Sequence, residues 1–228
     1  MISITKCKAD LKQFGFWGFL KRTAKFFLRK IGINVNSYYY MVNHIDAEKS
    51  RKQFEAAHIP PVKELTYDDF LKGDKSVFNE KKLAIIQQWL SEGTYKAYGI
   101  IENDILIYSC WISLKKLESS NVCVEGLLDE NEGLLVAAYC SPITRGRGLH
   151  GAMNAYRLWK ISQNGKNQAV AIVLKENKPA YKSQLKVGFE VVFTYYVVTV
   201  LGKTFTNYFK RKKAFREKNA ASNRFWQG

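Results

Sequence analysis

Residues 134–165 constrain this chain more than any other stretch. Positions 134–140 are almost wholly apolar, the pattern of a strand buried on both faces. Ser141-Pro142 ends that run, because proline lacks an amide donor and draws its predecessor out of helical geometry. A glycine turn, Arg145-Gly146-Arg147-Gly148, follows. Leu149, Met153, Tyr156 and Trp159 then recur at helical spacing until Asn164-Gly165 closes the pattern. A strand that feeds a helix through a glycine turn points to an α/β chain.

The flanking segments fit the same class. Residues 95–101 and 105–114 read as β-hairpin arms around the turn Glu102-Asn103-Asp104. Leu83, Ile86 and Leu90 predict a helix over 80–90, with Asn79 as its cap. Downstream come a strand over 169–174, a short helix over 179–186 and a long strand over 189–201. Upstream, Phe16, Leu20, Ala24, Phe27 and Ile31 share one side of a helix over 14–33, with Lys21, Arg22, Lys25 and Arg29 opposite and Gly32 as the stop. Residues 38–45 fit strand or helix equally. Pro60-Pro61 predicts a boundary. The expected domains are a basic extension over 1–59 with its amphipathic helix, a core over 60–202 and a basic tail over 203–228.

Charge divides along the same lines. Of the net +16, residues 1–45 and 203–228 each hold eight Lys/Arg against one acid, which leaves the middle nearly neutral. A polyanion partner is therefore a question about the two ends. The longest apolar stretch, about fourteen residues over 189–202, falls short of a membrane span. Lys6, Lys8, Asp10 and Lys12 interrupt any secretory leader, so a cytoplasmic protein, peripheral on the inner membrane face if the basic ends reach it, is expected. Cys7, Cys110, Cys123 and Cys140 form no C-x-x-C pair, and neither a metal nor a disulfide is expected.

The turn at Arg145–His150 carries the clearest chemistry. A phosphate cradle needs successive N–H groups directed at one point, and glycine permits both the turn and the close approach of a ligand. The start of a helix adds its positive end, and Arg145 and Arg147 add charges suited to phosphate oxygens. The alternative is a turn that only reverses the chain. Arg145-x-x-Gly148-x-His150 resembles the Arg/Gln-x-x-Gly-x-Gly/Ala signature of the GNAT acyltransferase superfamily, with His150 where glycine or alanine is usual. Asn177-x-x-Ala180 and Gly188-Phe189 resemble a second GNAT segment at matching spacing, with Ser183 and Gln184 in the places of a leucine and a tyrosine. Together the matches span roughly residues 95–202.

The resemblance implies a GNAT-like α/β (α+β) fold, a mixed twisted sheet flanked by helices in which two central strands splay to admit the pantetheine arm of acetyl-CoA or another acyl-CoA. It implies pantetheine along the backbone of Ala138, Tyr139 and Cys140, and pyrophosphate on Arg145, Gly146, Arg147, Gly148, Leu149 and His150. Asn177 joins the cofactor-binding set. The family tyrosine that protonates the departing thiolate is replaced by Gln184, so Tyr181 stands as general acid or as ordinary packing. Glu125, Glu132 and Glu176 are the nearest acids but read as solvated loop charges. His44 and His58 read as surface or interfacial residues.

The implied activity is acyl transfer, acetyl foremost, from acyl-CoA to an amine on a small molecule or amino sugar, with a plan that resembles enzymes of surface-polysaccharide metabolism. The alternative is a noncatalytic acyl-CoA-binding or membrane-associated protein. Anionic membrane is a further partner for the basic ends. Nucleic acid is not expected, although Tyr208, Phe209, Phe215, Phe225 and Trp226 are interleaved with cations.

Overall fold

The computed structural model describes residue 24, residues 27–117 and residues 126–225, with the side chains of 218–225 excepted. Strand β1, Ile33–His44, settles the segment left open between strand and helix; its Ile, Val and Tyr content suits a pleated, half-buried surface. Helix α1, Ala47–Glu55, begins where Asp46 accepts from the Lys49 amide at 2.9 Å. The short strand β2, Lys63–Glu64, and the short helix α2, Tyr67–Leu71, follow. Helix α3, Glu80–Ser91, carries the expected cap, Asn79 accepting from Lys82 N at 3.1 Å. Strands β3, Tyr95–Glu102, and β4, Ile105–Ser113, form the expected hairpin. Its turn residues Asn103 and Asp104 both have positive φ, as a two-residue turn matched to strand twist requires.

Next come β5, Glu132–Cys140; a 3-10 turn, Pro142–Thr144; α4, Leu149–Gln163; β6, Gln168–Leu174; and α5, Lys178–Lys186. The chain continues through β7, Glu190–Val200; β8, Lys203–Thr206; and α6, Tyr208–Phe225. The strands order as β2-β3-β4-β5-β6-β1-β7-β8. The sheet is mixed, since β5 and β6 are parallel whereas β2 through β5 and β7–β8 pair antiparallel. A parallel pair needs a long crossover, and α4 supplies it.

The chain forms two compact units, Tyr39–Thr194 and a second made of Met1–Tyr38 with Tyr195–Gly228. In the first, Met153 and Ile161 of α4 pack with Ile100, Cys110, Leu135 and Ala169. A separate cluster gathers Phe70, Phe78, Ile86, Trp89 and Trp111. In the second unit Tyr195 stacks on Tyr38 at 5.4 Å and meets Tyr208 edge-on at 5.2 Å.

Three expectations are corrected. The strand over 134–140 is not buried on both faces: Ala137 and Ala138 are exposed, because β5 leaves its parallel neighbour after Leu135. The basic segment 203–228, expected as a solvated tail, folds through residue 225 as β8 and α6, with Tyr208 and Lys212 buried. Glu132, expected as a solvated charge, is buried on β5, where it accepts from Tyr40 Oη at 3.1 Å and from the Asp129 amide at 3.0 Å. His44 and His58 are exposed as expected. Cys110 and Cys140 are free thiols, while Cys7, Cys123, Glu125 and Trp226 lie outside the described residues, as does the 14–33 helix before residue 24.

Candidate active site

The site begins where two strands part. β5 and β6 are in register at four positions, from Glu132↔Gln168 to Leu135↔Ala171. On its other side β5 stays paired with β4 as far as Cys140↔Tyr108. Residues Val136 to Cys140 therefore have a partner strand on one side only. The expected pantetheine positions Ala138, Tyr139 and Cys140 all lie in this open stretch. A register shift falls at the same place, since Cys110 faces Ala138 and Trp111 faces Val136, leaving Ala137 as the extra residue of a bulge.

Beyond Cys140 the 3-10 turn is pinned by Thr144, whose Oγ1 donates to Ser141 O at 3.1 Å. The chain then passes through Gly146 at φ 87° and Gly148 at φ 77°, left-handed conformations that side chains with a Cβ rarely adopt. Gly148 is the N-cap of α4. A Cβ added at Gly146, Gly148 or Gly151 would meet nothing within 4 Å, so open space lies in front of this turn. Among the described residues the amides of Gly146, Gly148, Leu149 and His150 have no acceptor, as the first turn of a helix leaves them. Exposed Arg145 makes no ion pair among the described residues. The other cradle arginine is engaged: Arg147 donates from Nη1 and Nη2 to Glu102 at 2.8 and 2.7 Å, which ties the turn to the end of β3 and holds the Glu102 carboxyl below its usual range.

His150 turns its ring to the sheet. Its Nδ1 lies 2.7 Å from the hydroxyl of fully buried Tyr108 on β4. Burial first, and nearby Arg157 second, push the imidazole down to about 4, so it is neutral at pH 7. Burial likewise raises the Tyr108 phenol, and the pair is a neutral hydrogen bond. A glycine or alanine at position 150 would leave the Tyr108 hydroxyl without this partner.

Arg157, in the middle of α4, is 1% exposed. It donates from Nη1 to Val136 O at 2.9 Å and to Trp111 O at 3.4 Å, and from Nη2 to Asn154 Oδ1. No carboxylate pairs with it among the described residues, and its Nε has no partner there. This buried cation holds the carbonyls of the two residues that face each other at the edge of the bulge. Asn154 Nδ2 extends the network to Ser183 Oγ at 3.2 Å. Gln184, beside it, is buried with its Oε1 unpartnered. Sequence reasoning missed Arg157, although it follows Met153 by four residues and so shares that core-facing side of the helix.

The remaining candidates divide. Asn177 caps α5, its Oδ1 accepting from Ala180 N at 3.2 Å. Tyr181 stacks on Tyr39 at 4.9 Å, with Lys175 Nζ 5.0 Å from the Tyr39 ring centre. Glu132 sits at the closed end of the β5–β6 pair, and both of its oxygens are engaged.

Neither a family model nor a curated protein sequence matches this chain. Solved structures do. A GCN5-related glucosamine N-acetyltransferase region of a fungal multi-domain β-N-acetylglucosaminidase matches 79% of this chain at TM-score 0.52 and 16% identity, over 23% of its own length. A functionally unknown conserved protein from Staphylococcus epidermidis matches at 0.51 and 10% identity, over 88% of this chain and 81% of its own. A GCN5-related N-acetyltransferase-like protein from Streptococcus suis matches at 0.50 and 16% identity, over 80% and 67%. The chain spans less than a quarter of the fungal protein and 59% of a Drosophila protein similar to it at TM-score 0.48. With its mixed sheet, the parting of β5 from β6 and the glycine turn into α4, the chain has the fold of the GNAT N-acetyltransferase superfamily.

Proposed function

We propose that this chain transfers an acyl group, acetyl foremost, from acyl-CoA to the amine of a small molecule. The observation that carries the reading is the end of β5–β6 pairing at Leu135↔Ala171, with an open strand edge that leads from there to the amides of Gly146, Gly148, Leu149 and His150, which have no acceptor among the described residues. An extended amide-bearing arm can add to the free edge of β5 as a further strand would, at Ala138 to Cys140. A pyrophosphate at the far end would meet the cradle amides, the positive end of α4 and Arg145. The thioester then falls near the bulge at Ala137, where Arg157 draws on the Val136 carbonyl and thereby polarises the peptide that joins Val136 to Ala137. The neutral amine attacks the thioester carbonyl, the C–N bond forms as the C–S bond breaks, and the proton that the nitrogen sheds passes to water or to the departing CoA thiolate.

An amino-sugar acceptor agrees with the substrate named for the fungal neighbour. A role in surface-polysaccharide metabolism is a narrower proposal of the same kind. Gln184 favours a second reading, a noncatalytic acyl-CoA-binding protein, since a buried amide stands where the family places its acid.

Thermal-shift titration with acetyl-CoA, longer acyl-CoAs and CoA tests binding, because a ligand of the native state raises stability with the logarithm of its concentration. A shift with every CoA species is expected, and no shift with any of them refutes the cradle. Thiol release against a panel of small amines and amino sugars then separates transferase from binder.

A further inference from the structure

β7 and β8 are joined by the two-residue turn Leu201-Gly202, whose φ angles are 47° and 83°. Both central positions of such a turn occupy the left-handed region, which asparagine, aspartate and glycine enter readily and leucine does not. The β3–β4 turn carries Asn103-Asp104 at the same two positions. Leu201 is also 80% exposed. It neither suits its turn nor buries its own side chain, and strain of this kind at an exposed tip points to a contact outside the chain.

The neighbours of Leu201 share its character. Its amide donates to Gly32 O at 3.0 Å, which sets residues 27–32 beside the turn. Ile31 and Phe27, 62% and 56% exposed, are one helical turn apart and share a face. Phe205, 59% exposed, shares a face of β8 with Lys203. Arg29, Lys30 and Lys203 are exposed around this apolar tip. Neither residues 24–32 nor residues 195–206 include an Asp or Glu.

We propose that this surface docks on an anionic lipid bilayer, with Leu201 and Ile31 at the headgroup–acyl boundary and Arg29 and Lys203 among the lipid phosphates. Exposed apolar side chains flanked by cations, in two segments that hold no Asp or Glu, match that interface in both of its chemistries. A nucleic acid rewards the cations but not exposed leucine and isoleucine. An apolar protein groove rewards the side chains but not the cations.

The test is co-sedimentation of the full chain with vesicles of phosphatidylcholine alone and of phosphatidylcholine rich in phosphatidylserine. Parent protein is expected on the anionic vesicles at low salt and mostly in solution with the neutral ones. Leu201→Asn suits the turn better than leucine, so its melting temperature should hold or rise, while vesicle partition falls about tenfold as one apolar anchor is lost. Arg29→Glu with Lys203→Glu should lower partition onto anionic vesicles by a further factor of about ten or more. Binding that ignores phosphatidylserine, or a folded Leu201→Asn variant that binds as the parent does, overturns the proposal. So does a parent that binds no vesicles but self-associates through Leu201, which would assign the surface to a second copy of the chain.

Discussion

Arg147 grips Glu102 with two hydrogen bonds, at 2.8 and 2.7 Å, so one of the two cradle arginines is already committed to the protein. In the proposed pyrophosphate site, Arg145 is the cation that remains for a phosphate. Arg145→Ala should weaken CoA binding by roughly 10- to 150-fold, the worth of one charge-assisted contact of about 1.5–3 kcal/mol. Arg147→Ala should cost less than about fivefold, since that side chain orients the turn through a partly exposed pair. Calorimetry on both variants checks the ranking, and equal losses would show that Arg147 leaves Glu102 on binding.

The depressed histidine makes a pH prediction. In the folded chain His150 titrates at about 4, while an unfolded histidine titrates near 6.5. Between those values the unfolded state binds the extra proton, so stability falls as pH drops through this window and is unchanged above it. The difference amounts to up to about 3 kcal/mol when fully expressed. Thermal melts at about pH 4.5 and pH 7.5 should show a steeper loss for the parent than for His150→Gln. Parallel loss in the two proteins would remove His150 as the source.

Arg157 is expected to govern turnover through the shape of the bulge. Arg157→Met removes the donor to Val136 and Trp111 while keeping much of the side-chain volume. The variant should lose kcat by more than about tenfold, with CoA affinity within about threefold, because the cradle lies at the start of α4, about two turns from Arg157. Arg157→Lys should recover part of kcat. A parallel loss of CoA affinity would make the residue a general support of the fold.

A tyrosine at 184, the residue usual in the GNAT segment that this stretch resembles, should fail here. Gln184 is buried with an unpartnered carbonyl oxygen, so Gln184→Tyr overfills its site and should destabilise by about 1–3 kcal/mol with no gain in thiol release. Gln184→Leu should raise the melting temperature, because it removes an unsatisfied polar atom. A more active tyrosine variant would mean that the side chain at 184 reaches the gap.

The elements with strong local signals were legible in the sequence. Asn79 and the 80–90 pattern gave α3, Asn103-Asp104 gave the β3–β4 hairpin, and Ser141-Pro142 with Gly148 gave the path from β5 into α4. What was not legible depends on tertiary geometry. An apolar run such as 134–140 does not reveal where a neighbouring strand departs, so the exposure of Ala137 and Ala138 could not be read from it. Tyr108 and His150 are 42 positions apart and Arg147 and Glu102 are 45, and no spacing rule joins either pair. The basic charge of 203–228 concealed the aromatic anchor at Tyr208 that fastens its helix.

The short register of β5 with β6 carries a consequence for how this chain tolerates change. From Val136 to Cys140 the free edge offers main-chain donors and acceptors, which every residue but proline supplies alike. Side-chain identity along this edge is therefore weakly constrained by a ligand lying against it, and proline is the substitution the edge should refuse. The same groups are hydrated when nothing lies along them. Amide hydrogens on that side of Ala138 to Cys140 should exchange with deuterated solvent sooner than their counterparts facing β4, and slow once an acyl-CoA takes the place of the missing strand.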